Sequence, residues 1–582
     1  MFGNLSHLKK YFFRYKAKLI LGCVFILLSN VANVYIPLNV MKGINSLIDK
    51  DSIRVITNLV LLLLTAAIIS NIFRYFIRQT IIVVSREIEY DLRHDFWAHI
   101  QKLPLRFFQN NSTGNIMSHA TNDIGAVRMF VGPSVMYSID NGIKFILTIS
   151  VMISLSPLLT LYALLPLPIL SFFVYSVMKK MHIKYTRIQE KMSDLTTRAQ
   201  ENFSGIRVIK SYEREEYEID EYTKESDEYL KRKMDQVKLQ AFFAPIFFMI
   251  SGLSAIIVVV TGGNMVINKT LTVGTIFAFM LYLVDLIWPM ISFGWVANMV
   301  QQADASMKRL LKIFNEPIEI SDVETNSEII EITGNVEFKN VSFRYGENLP
   351  WVLKNINLKI NRGQTVAFVG NTGVGKTSLV NLLPRLYDVV DGSVLIDGHD
   401  VREIPLHTLR KNIGVVPQEN FLFSDTLTNN INYGLNNSNG DLVSKVSEIA
   451  QLSKDVATFP AGYETILGER GITLSGGQKQ RATLARALAI DPKILILDDS
   501  FSAVDTNTEE EILKNLKKFM KDRTSIIISH RISTVKDSDK IFVLDQGSVV
   551  EEGTHDELVA KGGIYADLNL KQLLEKELSE MN

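Results

Sequence analysis

Gly370-Asn371-Thr372-Gly373-Val374-Gly375-Lys376-Thr377, followed by Ser378, sets three glycines, a lysine and a hydroxyl at the spacing G-x-x-x-x-G-K-T. Such a run grips phosphate: the glycines let the backbone turn tightly and aim its N–H groups at phosphate oxygens, and a helix N-terminus adds partial positive charge. Lys376 then reaches the β- and γ-phosphates and Thr377 can ligate Mg²⁺. The residues 365–369 before it read as a strand and 378–383 after it as a helix, the setting a phosphate loop requires. A second group lies at 494–499, where a buried-looking strand, Ile-Leu-Ile-Leu, ends in Asp498-Asp499. Carboxylates at the C-terminal end of a parallel strand sit where such sheets keep their ligands. Beside a phosphate loop, Asp498 is expected to hold Mg²⁺ and Asp499 to activate the attacking water. A third group, Leu474-Ser475-Gly476-Gly477-Gln478, precedes a helical stretch at 479–488 and makes a second anion-binding helix end. Two such ends in one chain invite an arrangement in which each serves a different nucleotide.

The elements that carry these groups divide into two unlike halves. The 582 residues balance 62 Lys+Arg against 62 Asp+Glu, yet 34 basic and 23 acidic residues precede Asn315 and 28 and 39 follow it. Six apolar stretches long enough to cross about 30 Å of hydrocarbon lie in the basic half, at 19–38, 56–76, 134–155, 158–178, 241–261 and 273–295. Pro37 and Asn39 stand where a leader-peptidase site would need small residues, so the first stretch reads as a retained anchor. Lys179, Lys180, Lys184, Arg187, Lys191 and Arg198 follow the fourth stretch, whereas the Ser156-Pro157 connection has no basic residue. The long loops and both termini are therefore expected in the cytoplasm, with segments such as 188–212 continuing the spans as helices. Residues 5–15 suit a helix in the inner membrane interface. Acidic residues and Pro317 mark a linker at 316–333 between a membrane domain, 1–315, and an α/β domain, 334–575. Cys23 alone forms no intrachain disulfide. Nucleic acid is excluded as a partner, because the basic residues cluster beside the membrane spans.

The phosphate loop, the LSGGQ element at 474–478 and the six-span half together resemble an ATP-binding cassette exporter of the half-transporter kind. The words Asp498-Asp499-Ser500-Phe501-Ser502-Ala503-Val504-Asp505 are similar to the MdlA-like subfamily. The resemblance implies an α-helical polytopic membrane domain of exporter fold fused to an α/β P-loop ATPase. It implies that Tyr345 stacks on adenine, that Gln418 senses Mg²⁺ and the membrane domain, that Asp505 is the D-loop acid and that His530 touches the γ-phosphate. It also implies a first coupling loop at 107–123, a stretch preceding the second coupling region at 201–210, and an exporter-specific cross-linking loop at 465–471.

One position departs from the family pattern: the usual glutamate after the buried aspartate is Asp499. Its carboxylate is one methylene shorter, and a shortfall of about 1 Å can cost about a hundredfold in rate. A slow or inactive site is expected, in a heterodimer whose partner carries the glutamate. In the family's head-to-tail arrangement, Lys376 and Asp499 face the partner's signature, while Ser475 and Gly477 complete the partner's site. The alternative is a homodimeric lipid or drug flippase with a slow aspartate base. The function implied is ATP-driven export of an amphipathic or hydrophobic compound across the cell (inner) membrane. Import, and an ATP-gated channel or regulator, are the rivals. Asp140 and Lys144, four apart on one helix face, and Asp285 in the sixth span line the translocation path, or else Asp140 pairs structurally with Lys144 and Asp285 only stabilises interhelical packing.

Overall fold

The computed structural model describes residues 3–322, 325, 331–435, 440–471 and 473–580. They form two compact units, Met1–Ile100 with Thr113–Glu316, and Gln101–Ser112 with Pro317–Asn582. In the first unit the apolar runs become six long helices: α1 (Lys16–Ile48), α2 (Ile53–Ile100), α3 (Thr113–Leu155), α4 (Pro157–Ser204), α5 (Glu215–Ile267) and α6 (Val273–Phe314). The 48 residues of α2 extend about 72 Å at 1.5 Å per residue, well beyond a bilayer's hydrocarbon. The charged loops thus continue the spans as helix, as the mixed pattern predicts. α4 breaks at Leu165-Pro166, and Pro37, Pro245 and Pro289 lie inside α1, α5 and α6.

The N-terminal helix, Lys9–Arg14, spends its charge within this unit. Lys10 and Tyr11 both reach Asp95 of α2, Arg14 and Tyr15 reach Asp91, and Lys18 pairs with Glu87. Leu5, Leu8 and Tyr11 are buried beneath them, while Phe13 stays exposed. Polar contacts also cross the spans. Lys144 of α3 pairs with Asp285 of α6 at 2.8 Å, not with Asp140, whose carboxylate accepts from the Asn30 amide of α1 at 2.7 Å. An i,i+4 spacing makes two residues neighbours on one helix, but an acid on a facing helix competes for the same lysine.

The second unit holds two sheets. An antiparallel sheet orders β2 (Leu353–Ile360), β1 (Val336–Phe343), β4 (Asp391–Ile396) and β5 (His399–Asp400). The other runs β10-β9-β3-β8-β7-β6, comprising β3 (Thr365–Val369), β6 (Ile413–Val416), β7 (Ile494–Asp498), β8 (Thr524–Ile528), β9 (Lys540–Asp545) and β10 (Ser548–Gly553). All its pairings are parallel except the edge strand β10. Central strands β7 and β8 are buried along their whole length, as a sheet covered on both faces demands.

The short helix Leu105–Asn110 belongs to this second unit. Phe107 is buried, Arg106 pairs with Glu319, and the Gln109 side chain bonds Tyr387. Of the expected first coupling loop, 107–123, residues 107–112 thus lie in this second unit and residue 113 opens α3 of the other. Residues 114–123 of the expected loop lie in α3 of the other unit, where buried Asp123 holds Arg309 and His119.

Candidate functional site

The cleft opens where three neighbouring strands end. β3, β8 and β7 lie side by side, and the phosphate loop, His530 and Asp498-Asp499 follow their C-terminal ends. Tyr345, Thr372, Gly373, Gly375, Lys376, Thr377, Ser378, Gln418, Asp498, Asp499 and His530 line one cavity of about 320 Å³.

Within the loop, Gly370, Gly373 and Gly375 take φ of 144°, 86° and 101°, open only to glycine at little cost. A side chain at Gly375 would also stand 3.0 Å from the Val352 carbonyl oxygen. The loop, completed by Asn371 and Val374, leads into α7 (Lys376–Asn381). Lys376 is buried and folds back, its Nζ donating to the carbonyls of Gly370 at 2.8 Å and Asn371 at 2.9 Å. Burial pushes its ammonium below the usual lysine value, against the pull of Asp498 and Asp499. Burial likewise pushes the Asp498 carboxyl up, against a hydrogen bond from Thr377, while the Asp499 charge adds to the rise. For both groups burial outweighs the attraction between the opposite charges. A nucleoside triphosphate with a divalent cation supplies charges of both signs.

Among the described residues no cluster of three or more His, Cys, Asp or Glu could cage a metal. The hydroxyl of Thr377, one carboxylate and the Gln418 amide nevertheless suit Mg²⁺, which keeps waters and takes the rest of its shell from phosphate. Tyr345 sits at the rim, its hydroxyl 2.7 Å from Ser378 Oγ and its ring edge-on to Phe343 and Tyr387. Asp499 adopts φ 45°, a left-handed conformation that aspartate tolerates better than most residues, and its amide donates to the Ile528 carbonyl at 2.9 Å.

Ser475, Gly476, Gly477 and Gln478 do not line this cavity. Ser475 caps α8 (Gly476–Ala489) in a capping box: its Oγ accepts from the Gln478 amide at 3.3 Å, and Gln478 Oε1 accepts from the Ser475 amide at 2.9 Å. Accepting there, the serine keeps its own hydroxyl proton to donate. A Cβ on Gly477 would stand 2.9 Å from the Ala503 carbonyl oxygen, so close backbone packing also demands glycine. Asp505 caps α9 (Thr506–Met520), accepting from the Thr508 amide at 2.9 Å.

Several supporting residues carry no signal in the sequence. Gln480 bridges α8 to the Asp499–Asp505 turn, donating to Ser502 Oγ at 2.9 Å and accepting from the Ala503 amide at 3.0 Å. Asp455 holds Gln478 and Arg481. Behind His530, Gln572 of α10 (Ile564–Glu580) donates to the His530 carbonyl at 2.5 Å and accepts from the Ile532 amide at 2.8 Å. Glu509 takes Arg531 and Thr534. Only the fold brings these partners together, since no motif spaces them.

Residues 19–290 match the family model for the ABC transporter transmembrane region, and residues 353–502 match the ABC transporter model. A "Multidrug resistance-like ATP-binding protein MdlA" of Buchnera aphidicola subsp. Schizaphis graminum is 33% identical over 577 residues, covering 98% of this chain and 99% of that one. An "ATP-dependent lipid A-core flippase" of Syntrophus aciditrophicus is 36% identical over 497 residues, 85% of this chain and 82% of that one. The solved structure of a bacterial Atm1-family ABC exporter with ATP bound superposes with a TM-score of 0.77 at 26% identity, covering 96% of this chain and 98% of that chain.

Proposed function

Because this chain belongs to the ABC transporter family, a multi-pass membrane region fused to an ATPase that couples hydrolysis to export, we propose that it is one subunit of a heterodimer. In that pair its own nucleotide is held and its partner's is turned over. The membrane domain, 1–315, passes through a linker at 316–333 into the nucleotide-binding domain, 334–575. That domain and both termini face the cytoplasm, and the spans cross the cell (inner) membrane.

The geometry supports a role for each residue. Tyr345 faces adenine, the loop amides of 370–378 cradle phosphate, and Lys376 exchanges the carbonyls of Gly370 and Asn371 for β- and γ-phosphate oxygens. Mg²⁺ supplies charge neutralisation on those phosphates, with Thr377, Asp498 and Gln418 as the residues that would hold it. His530 meets the γ-phosphate from the neighbouring strand end. Ser475, Gly476, Gly477 and Gln478 lie outside the cavity and serve the partner's nucleotide. ATP moves the membrane helices only to the extent that it binds the closed cassettes better than the open ones. The cargo is an amphipathic or hydrophobic compound such as a drug or lipid.

The observation that carries the asymmetric reading is Asp499, a carboxylate one methylene short at the end of β7. The chain purified alone is expected to bind ATP yet turn it over slowly. Robust turnover abolished by Asp499→Asn would reverse that conclusion. A homodimeric flippase is the second reading, favoured by the presence of an intact phosphate loop and an intact LSGGQ in one chain.

A further inference from the structure

Within the apolar stretches of the six spans the charged side chains are Arg74, near the end of its stretch, and Asp140, Lys144 and Asp285. Lys144 and Asp285 neutralise each other at 2.8 Å. Asp140 has no such partner: among the described residues no Lys, Arg or His lies within ion-pair distance of it. It accepts from the neutral Asn30 amide at 2.7 Å, and Asn30, itself 5% exposed, also donates to the Ile26 carbonyl at 3.0 Å. A carboxylate held by one neutral donor in a medium of low polarity lacks a cation.

The surroundings suit a particular kind of cation. Tyr137, one turn before Asp140 on the same face of α3, packs its ring against Trp295 of α6 at 5.4 Å, and Trp295 is 43% exposed. Aromatic faces attract organic cations through their quadrupole, and the effect strengthens where water is scarce. Asn141 and Ser292, bonded at 2.6 Å, tie the two helices between the aromatic pair and the Lys144–Asp285 pair. Lys144 is therefore engaged elsewhere and does not compensate Asp140.

We propose that Asp140, with the Tyr137–Trp295 ring pair, is a recognition site for lipophilic organic monocations in the membrane domain. The proposal rests on the export reading and narrows its cargo by charge. Its rival is a proton on Asp140, which would leave the site indifferent to the sign of a ligand's charge.

Three probes of similar size separate these cases: tetraphenylphosphonium, tetraphenylborate and neutral triphenylphosphine oxide. Each is titrated into the full-length chain in lipid nanodiscs, followed by tryptophan fluorescence and corrected with empty nanodiscs. The phosphonium is expected to bind at least about tenfold more tightly than the borate, a difference of about 1.4 kcal/mol. Asp140→Asn should abolish that preference while the neutral probe's affinity stays within about a factor of two, and Asp140→Glu should retain it. Equal affinity for the two ions in the wild-type chain would overturn the proposal, as would a preference that survives Asp140→Asn. The wild-type comparison decides the matter even if the asparagine variant does not fold. ATP-driven movement of the probes in inside-out vesicles is scored separately. Cation preference without movement would count against export and leave the site standing, whereas movement without preference would do the reverse.

Discussion

At the scale of single residues, the end of β7 sets two demands that pull against each other. The backbone at Asp499 is left-handed, which favours a short polar side chain, while water activation favours a longer one. Asp499→Glu should therefore raise ATP turnover at this site by about tenfold or more and cost about 1 kcal/mol of stability, read by steady-state ATPase and thermal melting. Asp498 gives a prediction with a pH sign. Burial raises its carboxyl pKa in the folded state, so the folded protein loses stability as pH rises from the ordinary carboxylate value through the raised one. Asp498→Asn should remove that loss, leaving nucleotide-free melting at neutral pH equal to or above wild type. Stabilisation by ATP with Mg²⁺ should vanish in the same variant. Of this chemistry the phosphate loop, the paired aspartates and the LSGGQ run were legible as words in the sequence, because each is a contiguous string whose spacing is dictated by a phosphate group. Gln480, Glu509 and Gln572 were not, since their partners lie tens of residues away or at backbone atoms that no side-chain pattern reports.

At the scale of elements, two couplings can be broken separately. α10 grips the loop after β8 through both ends of the Gln572 amide. Gln572→Ala should cost about 1–2 kcal/mol and speed hydrogen exchange at the Ile532 amide. Gln572→Glu, which keeps the acceptor and loses the donor, should fall between alanine and wild type. In the membrane, Lys144 and Asp285 join α3 to α6. Lys144→Met alone strands a charge and should destabilise by about 3 kcal/mol, while Lys144→Met with Asp285→Leu should recover most of the loss in denaturation measured in the same detergent. The spans themselves were readable from runs of apolar residues, because hydrocarbon thickness sets a length. Which helix answers Lys144 was not, since heptad-scale spacing describes one helix and says nothing of the one beside it. The π turns at Arg78–Ile82, His119–Asp123 and Phe130–Ser134 were equally silent.

At the scale of the whole molecule, a heterodimer makes the two halves of this cassette unequal in consequence. In the complex with a glutamate-bearing partner, Ser475→Ala should depress ATPase by about a hundredfold, and Asp499→Asn should change it by less than about a factor of two. A homodimer would respond alike to both. The cap that Ser475 provides is worth about 1 kcal/mol, so melting must be compared in parallel.

The 53 residues of α5 make a rod of about 80 Å, of which about 30 Å fits inside hydrocarbon. Pro245 falls where the rod enters its apolar stretch, and lacking an N–H it leaves the carbonyl one turn back without its usual donor. With that hydrogen bond missing, the shaft bends there more readily than it would at another residue. Pivoting there as a rigid rod, it would carry a push of about 5 Å at the tip of the roughly 50 Å outer arm as about 3 Å at the opposite membrane surface, and bending at Pro245 subtracts from that. Pro245→Ala would stiffen the lever and lengthen its throw.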